Sequence, residues 1–203
     1  MMNNINRSPQ QHRSRVTTKR FLDAARQLLQ KQTYAEMSVN ELAKKAKRSV
    51  GTFYQRFDGK DEFLNILMLD FFEANIEEDM NNWRGRTAKS VFTIFLKDNY
   101  RHICENKNLW HAALERSSTQ PDFWSNFADL RTKRFDILLE AMEAGGKRKL
   151  TAAEVRRCAV AIQVFNSVIN NQVINSPGPL SLDDDAFLPS MTTVALDIAK
   201  LNK

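Results

Sequence analysis

The sequence predicts an all-α protein. Apolar residues recur at helical spacing along most of the 203 residues, and no segment of useful length alternates apolar and polar residues as a strand does. Ser38 and Thr151 are each followed three positions later by glutamate, which is the pattern of a capping box at a helix start. The apolar content of 42% suits one small helical module and one larger helical domain.

The chain begins with a polar segment and a first helix. Residues 1–13 are expected to form a disordered arm, which is most simply a flexible terminus. The alternative is that Arg7 and Arg13 reach into a DNA minor groove. Residues 15–31 carry an apolar stripe at helical spacing, which predicts a helix there. We predict that residues 14–58 form one domain.

Two short helical patterns lie within residues 38–57. Ser38 and Glu41 form the capping box of the first, and Ser49 is a candidate N-cap for the second. The two residues Lys47 and Arg48 are too few and too polar to be more than a turn. Helices this short are marginal alone in water, so they must pack on the flanking helices. The pattern predicts a helix-turn-helix, whose second helix enters a DNA groove.

The second short helix carries side chains that suit nucleic acid. Thr52, Tyr54, Gln55 and Arg56 supply hydroxyl, amide and guanidinium groups that can reach phosphates and base edges. Gly51 leaves room for a close backbone approach. These residue types in one turn of helix favour a DNA-contacting role.

Lys60 lies near the start of the next helix, where the helix dipole disfavours a cation. A phosphate bound at that terminus would resolve the mismatch. The neighbouring acids Asp58 and Asp61 offer the other explanation, since they already offset the charge. The residue alone does not decide between the two.

Charge is segregated along the chain. Residues 1–60 hold 13 Lys and Arg against 4 Asp and Glu, a net charge of +9, whereas the remaining 17 basic and 20 acidic residues give −3. Clustered positive charge binds the phosphate backbone through counterion release. A basic face is more often simply solvated, so charge supports DNA binding only together with the helix-turn-helix.

The run SVNELAKKAKRSVGTFYQRFDGKDEFL resembles the DNA-binding signature of the TetR family of bacterial transcriptional regulators. The resemblance covers about 45 residues with the preceding helix. It implies three N-terminal helices for DNA, a long fourth helix leading to a ligand-binding domain, and a homodimer through the last two helices. It also implies a palindromic double-stranded DNA operator and release by a small molecule.

The resemblance gives the DNA-binding candidates, with Tyr54 and Lys60 implied on phosphates. This sequence departs from the family pattern at Lys47, which replaces a glycine in a turn that favours positive φ, and at Arg48, which replaces an apolar residue. Val50 can read a base only by apolar contact, for instance with a thymine methyl. The predicted DNA contacts are Ser38, Lys47, Arg48, Ser49, Val50, Gly51, Thr52, Tyr54, Gln55 and Lys60.

The rest of the chain also has helical patterns. Residues 59–82 are predicted to form a linking helix, broken at Arg84-Gly85-Arg86, and residues 83–203 an effector-binding and dimerisation domain. Within it we predict helices over 87–104, around 109–114, from Phe123 to a glycine C-cap at Gly145-Gly146, and over 151–175. Pro177-Gly178-Pro179 precedes a last helix, whose first turn we expect to contain Asp183, Asp184 and Asp185.

The predicted helix 151–175 is apolar around most of its circumference, so it needs partners on more than one side. A second copy of the chain would cover one face, with the last helix beside it in a four-helix seam. Burial within one chain is the alternative. The resemblance favours the homodimer.

Aromatic residues are concentrated between residues 92 and 135. Such a cluster is more often core than cavity, because close packing is the norm. A ligand cavity is also mainly apolar with a few polar groups, and that reading predicts an apolar or aromatic effector. The candidate effector-binding residues are Phe92, Phe95, Tyr100, Trp110, His111, Phe127, Phe165 and Asn166.

The sequence gives no support for catalysis, because it has no nucleophile elbow, phosphate loop, dinucleotide fingerprint or zinc-protease motif. Cys104 and Cys158 lack the spacing of a metal site and are read as ordinary thiols. We predict no metal and no cofactor. No apolar run is long enough for a membrane span, and the polar start does not resemble a signal peptide, so we expect a cytoplasmic protein.

These observations predict a ligand-responsive DNA-binding regulator, a repressor rather than an enzyme, that binds a palindromic operator as a dimer. The alternative is a helical partner-binding or structural protein with non-specific DNA affinity. Sequence preference on DNA separates the two hypotheses.

Overall fold

The computed structural model describes residues 9–83 and 85–202, except the side chains of residues 9–13, Met80 and Asn81. Within these residues all regular structure is helical, as predicted. The helices are α1 (Pro9–Leu29), α2 (Val39–Lys45), α3 (Val50–Tyr54), α4 (Lys60–Asn82), α5 (Ala88–Glu105), α6 (Lys107–Thr119), α7 (Ala128–Gly146), α8 (Ala152–Asn175) and α9 (Phe187–Ala199), with a 3-10 helix at Phe123–Phe127 before α7.

The chain divides into two compact units, and the boundary between Leu67 and Met68 falls inside α4. The amino-terminal unit contains α1, α2, α3 and the start of α4. The carboxy-terminal unit contains the rest of α4 and the helices that follow.

Four phenylalanines form the centre of the amino-terminal unit. Phe53 of α3 packs edge-on against Phe21 of α1, at 5.6 Å between ring centres, and against Phe63 of α4 at 5.4 Å. Phe57 contacts Phe21 and Phe63, and all four side chains are buried. Such ring contacts add to the free energy of burial. The five-residue α3 therefore depends on α1 and α4 for its position.

The carboxy-terminal unit is built around α5 and α8. α8 packs mainly on α9 and also on α6, and α5 packs on α7 and α9. Buried apolar side chains from these helices form one core, which includes Phe92, Leu96, Phe165 and Phe187. The capping box predicted at Thr151 and Glu154 is present at the start of α8.

The helix ends differ from the predictions in three places. α1 begins at Pro9, so residues 9–13 are helical, and the predicted arm, with Arg7, otherwise lies outside the described residues. The α7 cap is not a glycine, because Gly145 and Gly146 are still helical and Lys147 takes the left-handed conformation, with φ 53°. The three aspartates precede α9, since the residues before Phe187 form turns in which Asp184 accepts from the Ala186 amide at 2.8 Å.

Gly145 has a packing role instead. A Cβ at this position would lie 2.0 Å from the Arg86 carbonyl oxygen, whereas a Cβ at Gly146 would meet only the Ala88 methyl at 3.9 Å. The first glycine therefore lets α7 approach the backbone that leads into α5.

No helix in the described ranges is long and apolar enough to cross a membrane.

Candidate functional site

The first helix of the predicted helix-turn-helix is fixed by its capping box. The Ser38 Oγ accepts from the Glu41 amide at 3.2 Å, and the Glu41 carboxylate accepts from the Ser38 amide at 3.0 Å. These hydrogen bonds hold the pKa of Glu41 below its usual range. Leu42 and Ala43 face the core, while Lys44 and Lys45 are exposed. α2 thus buries its apolar stripe and leaves its last turn positively charged.

Lys47 makes the turn between the two helices. Its φ is 54°, its amide donates to the Lys44 carbonyl at 3.2 Å, and the Arg48 amide donates to the Ala43 carbonyl at 2.9 Å. This pair of bonds is a Schellman motif, which usually has glycine at the left-handed position. The expectation of a positive φ at Lys47 is therefore confirmed, and the lysine side chain is exposed at the turn.

α3 follows at once, with Ser49 as its N-cap. The Ser49 Oγ accepts from the Thr52 amide at 3.1 Å and lies 2.8 Å from the Thr52 hydroxyl. A Cβ at Gly51 would meet only the Ser49 Oγ at 3.7 Å, so the fold itself does not demand glycine here. Tyr54 is 58% exposed although it is aromatic. An exposed aromatic hydroxyl beside a bare stretch of backbone is available to a partner.

Two cations near α3 are already engaged within the unit. The Arg56 guanidinium donates to the Ser14 carbonyl at 3.0 Å and to the Ser14 hydroxyl at 2.7 Å. The Lys60 ammonium donates to the Tyr34 carbonyl at 2.7 Å and lies 4.9 Å from the centre of the Tyr34 ring. Sequence reasoning considered Arg56 as a group that can reach DNA and included Lys60 among the predicted contacts. It missed these internal contacts, which join residues far apart in the chain.

The carboxy-terminal unit contains a cavity of about 640 Å³. Its apolar wall comes from α4 to α8 and includes Phe72, Phe95, Trp110, Trp124 and Phe135. Its polar wall comes from α5, α7 and α8. That wall consists of Asn99, Arg131, Thr132, Arg134, Gln163, Asn166, Ser167 and Asn170.

A chain of hydrogen bonds orders part of the polar wall. The Arg134 Nε donates to Asp79 of α4 at 2.5 Å, and the Arg134 Nη1 donates to the Asn99 Oδ1 at 2.8 Å. The Asn99 Nδ2 in turn donates to the Asn166 Oδ1 at 2.8 Å. One turn further along α8, the Asn170 Oδ1 accepts from the Trp110 indole at 2.9 Å.

Residues 21–66 match the family of bacterial regulatory proteins called the tetR family. The match spans the end of α1, the whole helix-turn-helix and the start of α4. The chain carries a TetR-family DNA-binding domain. This confirms the resemblance seen in the sequence.

Solved structures of TetR-type regulators have the same fold over nearly the whole chain. A TetR transcriptional regulator from Rhodococcus sp. RHA1 matches at 20% identity with a TM-score of 0.58, covering 95% of this chain and 99% of that one. The regulator FadR from Bacillus subtilis, in complex with stearoyl-CoA, matches at 18% identity with a TM-score of 0.59, covering 90% and 96%. No curated protein sequence matches significantly. The likeness shows the fold of both units.

The cavity of this TetR-type fold contains only part of the predicted effector set. Phe95, Trp110 and Asn166 line it. Phe92, Phe127 and Phe165 do not, because each is completely buried in packed core. Tyr100 does not, because its hydroxyl donates to the Leu182 carbonyl. His111 does not, since it pairs with Glu115 of the same helix at 3.3 Å.

The residues that sequence reasoning missed are mainly polar. Arg134 is only 7% exposed and lies four residues from both Leu130 and Leu138, so it interrupts the apolar stripe of α7. An arginine in such a stripe signals a buried partner or a cavity. Arg131 carries no comparable signal, because its position on the helix is that of an ordinary exposed residue.

Several apolar side chains of α8 and α9 are exposed. Six large apolar side chains are exposed among the described residues, and four of them are on these two helices. They are Val160 (45% exposed), Val164 (37%), Ile174 (40%) and Val194 (44%). Their concentration on one pair of helices indicates an uncovered surface rather than scattered exposure.

Proposed function

We propose that this protein is a transcriptional repressor that binds a palindromic operator as a homodimer and is released by a small molecule. The observation that carries the proposal is the α2–α3 pair, whose apolar side is buried in the phenylalanine core while its basic turn and Tyr54 stay exposed. The Tyr54 ring packs edge-on against Phe53, at 5.3 Å between ring centres, and the side chain is nevertheless 58% exposed.

In the proposed complex, α3 lies in the major groove and the flanking groups bind phosphate. Gly51, Thr52 and Gln55 contact bases or adjacent backbone, and Val50 contributes apolar contact. Lys47 and Tyr54 bind phosphate oxygens. The hydroxyls of Ser38 and Ser49 already cap their helices, so their main contribution is to hold the helix starts in place.

The exposed valines of α8 and α9 support the proposed dimer. A second copy covers these side chains and forms a four-helix seam, which removes apolar surface from water. Two copies then present two α3 helices to half-sites about 34–36 Å apart, which is one turn of DNA. A dimer explains both the exposed face and a palindromic operator.

The cavity supports a small-molecule effector, and the Bacillus subtilis neighbour was solved with stearoyl-CoA. α4 contributes Phe72 and Asp79 to this region and continues into the DNA-binding unit. A ligand that favours one position of α4 would change the spacing of the two α3 helices and weaken DNA binding. Repression needs only occupancy of a promoter, so we favour it over activation.

Gel-shift titrations with promoter fragments, in the presence of excess unrelated DNA, test the proposal. We expect selective binding, and we expect Tyr54→Phe to lower the affinity about tenfold, as for the loss of a hydrogen bond to a charged group. Thermal melting should be unchanged, because the Tyr54 side chain is exposed. Binding that ignores sequence would instead favour a helical partner-binding protein with non-specific DNA affinity.

A further inference from the structure

We propose that the cavity binds an amphipathic anion, an apolar body with a carboxylate head, and that Arg131 and Asn166 receive the head. This inference rests on the proposed function and names the class of its effector. It depends on the direction of the hydrogen bonds in the polar wall and on the charges around them.

The hydrogen-bond chain leaves donors on the polar wall. A guanidinium can only donate, so the Arg134 contact requires the Asn99 Oδ1, and the Asn99 Nδ2 must then donate to the Asn166 Oδ1. The Trp110 indole also only donates, which fixes the Asn170 Oδ1 as its acceptor. Both α8 asparagines have therefore committed their oxygens. Their amide N–H groups remain for a ligand, since neither amide nitrogen donates to another described residue.

The charge of the wall agrees with these donors. The residues lining the cavity include two arginines and, within the described part of the chain, no aspartate or glutamate. Arg134 is paired with Asp79, but Arg131 is exposed and has no ion-pair partner among the described residues. A wall of donors with one unbalanced positive charge suits a carboxylate, which accepts several hydrogen bonds.

Arg134 supplies a further donor to the polar wall, its buried Nη2. Its side chain is only 9% exposed, and its Nη2 has no hydrogen-bond partner. A buried donor without a partner is costly, so an acceptor that reaches it is bound favourably. Nη2 is itself covered by protein, and the ligand would meet it only after a small rotation of the guanidinium. That rotation would disturb the bond to Asp79 and so connect the ligand to α4.

The apolar wall defines the rest of the ligand. Phe72, Phe95, Trp110, Trp124 and Phe135 offer ring surfaces beside the donors. A cavity of about 640 Å³ is in the range that holds a drug-sized molecule. A fatty or aromatic acid fits both walls, whereas the positive charge of Arg131 disfavours a cation.

Calorimetric titration of the full-length protein with matched ligands tests the inference. The probes are decanoate and naphthoate, each compared with its uncharged amide, and decanoyl-CoA. We expect each acid to bind at least about tenfold more tightly than its amide, as for a charge-assisted contact. Tighter binding of decanoyl-CoA than of decanoate would overturn the carboxylate head, because the thioester is uncharged and the anionic groups of that ligand are the coenzyme A phosphates. Equal affinity of acid and amide, or no binding of any probe, would overturn the inference.

Two variants locate the head group. Asn166→Asp keeps an oxygen that accepts from Asn99 and replaces the free side-chain amide with a negative charge. It should therefore weaken binding of the two acids and leave binding of their uncharged amides unchanged. Arg131→Gln should do the same, whereas Lys133→Gln removes an exposed charge from the same helix without lining the cavity and should change nothing. Equal effects of the two α7 variants would contradict the assignment.

Failure of this inference is distinguishable from failure of the proposed function. A protein that binds its operator but none of the acids retains the regulatory role and loses the ligand class. A protein that binds the acids through Arg131 and Asn166 but no DNA retains the ligand class and loses the regulatory role.

Discussion

Tyr34 and Lys60 are joined by two hydrogen bonds in opposite directions. The Tyr34 hydroxyl donates to the Lys60 carbonyl, and the Lys60 ammonium donates to the Tyr34 carbonyl. Burial raises the pKa of Tyr34, and partial burial lowers the pKa of Lys60. The pair ties the loop after α1 to the first turn of α4, so the lysine has a structural role whether or not it also binds phosphate.

The structural and DNA-binding roles of Lys60 can be separated by two variants. Tyr34→Phe removes one of the two bonds and keeps the cation, so it should lower stability by about 1 kcal/mol and leave the salt dependence of DNA binding unchanged. Lys60→Met should lower stability too. If Lys60 also binds phosphate, the Lys60→Met variant should have a slope of log DNA affinity against log salt concentration that is smaller by about one. Identical slopes for the two variants would leave Lys60 with only its structural role.

Lys47 and Lys147 have the same backbone geometry, with φ 54° and 53°, at equivalent positions of two Schellman motifs. Replacing either lysine by glycine should raise the free energy of unfolding by up to about 1 kcal/mol, because a side chain is disfavoured in this conformation. Only Lys47→Gly should weaken DNA binding, since only Lys47 lies beside α3. Weakening by Lys147→Gly of similar size would contradict a DNA contact at Lys47. Chemical denaturation and gel shifts measure the two effects.

The two glycines at the end of α7 should respond oppositely to alanine. Gly145→Ala places a methyl group against the Arg86 carbonyl and should destabilise the protein by about 1–3 kcal/mol or more. Gly146→Ala meets open space and should be neutral or stabilising by at most about 1 kcal/mol. Thermal melting of both variants checks this. Equal melting temperatures would show that the close approach of α7 to Arg86 is not maintained in solution.

His102 should make the protein less stable in mild acid. It is 4% exposed, and burial lowers its pKa below the ordinary 6.5. The nearby Arg101 lowers the pKa further, and Glu78, which lies 3.1 Å from the His102 Nε2, opposes the shift only in part. The unfolded chain therefore takes up a proton before the folded one does. Stability is fully present above about pH 6.5 and falls as the pH drops towards the folded pKa. Urea denaturation should show a steeper loss over this range for the native protein than for His102→Gln.

The proposed dimer predicts that a charge on α8 separates the subunits. Val164→Lys should shift the protein towards monomer in sedimentation experiments, because the buried charge would lack a partner. Val16→Lys is the matched control, since Val16 is 39% exposed, close to the 37% of Val164, but lies on α1. A monomeric native protein, or a dimer unaffected by Val164→Lys, would contradict the proposed seam.

Local sequence signals predicted the helix starts well. Ser38 with Glu41 and Thr151 with Glu154 form capping boxes in the structure, because a cap depends on residues within one turn. The helix ends were harder. A glycine near the end of α7 suggested a cap, but Gly145 is needed for a contact with Arg86, and no local rule encodes that contact.

The candidate sites also differ in how far local sequence predicted them. The DNA-binding residues are contiguous, so a motif identified them, and their contacts with DNA stay a prediction. The cavity draws residues from five α-helices and the 3-10 helix, and choosing aromatic residues by type selected core positions such as Phe92 and Phe165. Arg131 gave no pattern of its own, because its proposed role depends on neighbours that are distant in sequence.

Selection from a library of random double-stranded DNA tests whether α3 reads DNA sequence. We expect the native protein to enrich an inverted repeat with half-site centres about one helical turn apart, and we expect Tyr54→Phe to recover the same repeat in smaller yield, because it loses a phosphate contact. Sequences without a common motif, recovered equally by both proteins, would contradict a role for α3 in reading DNA.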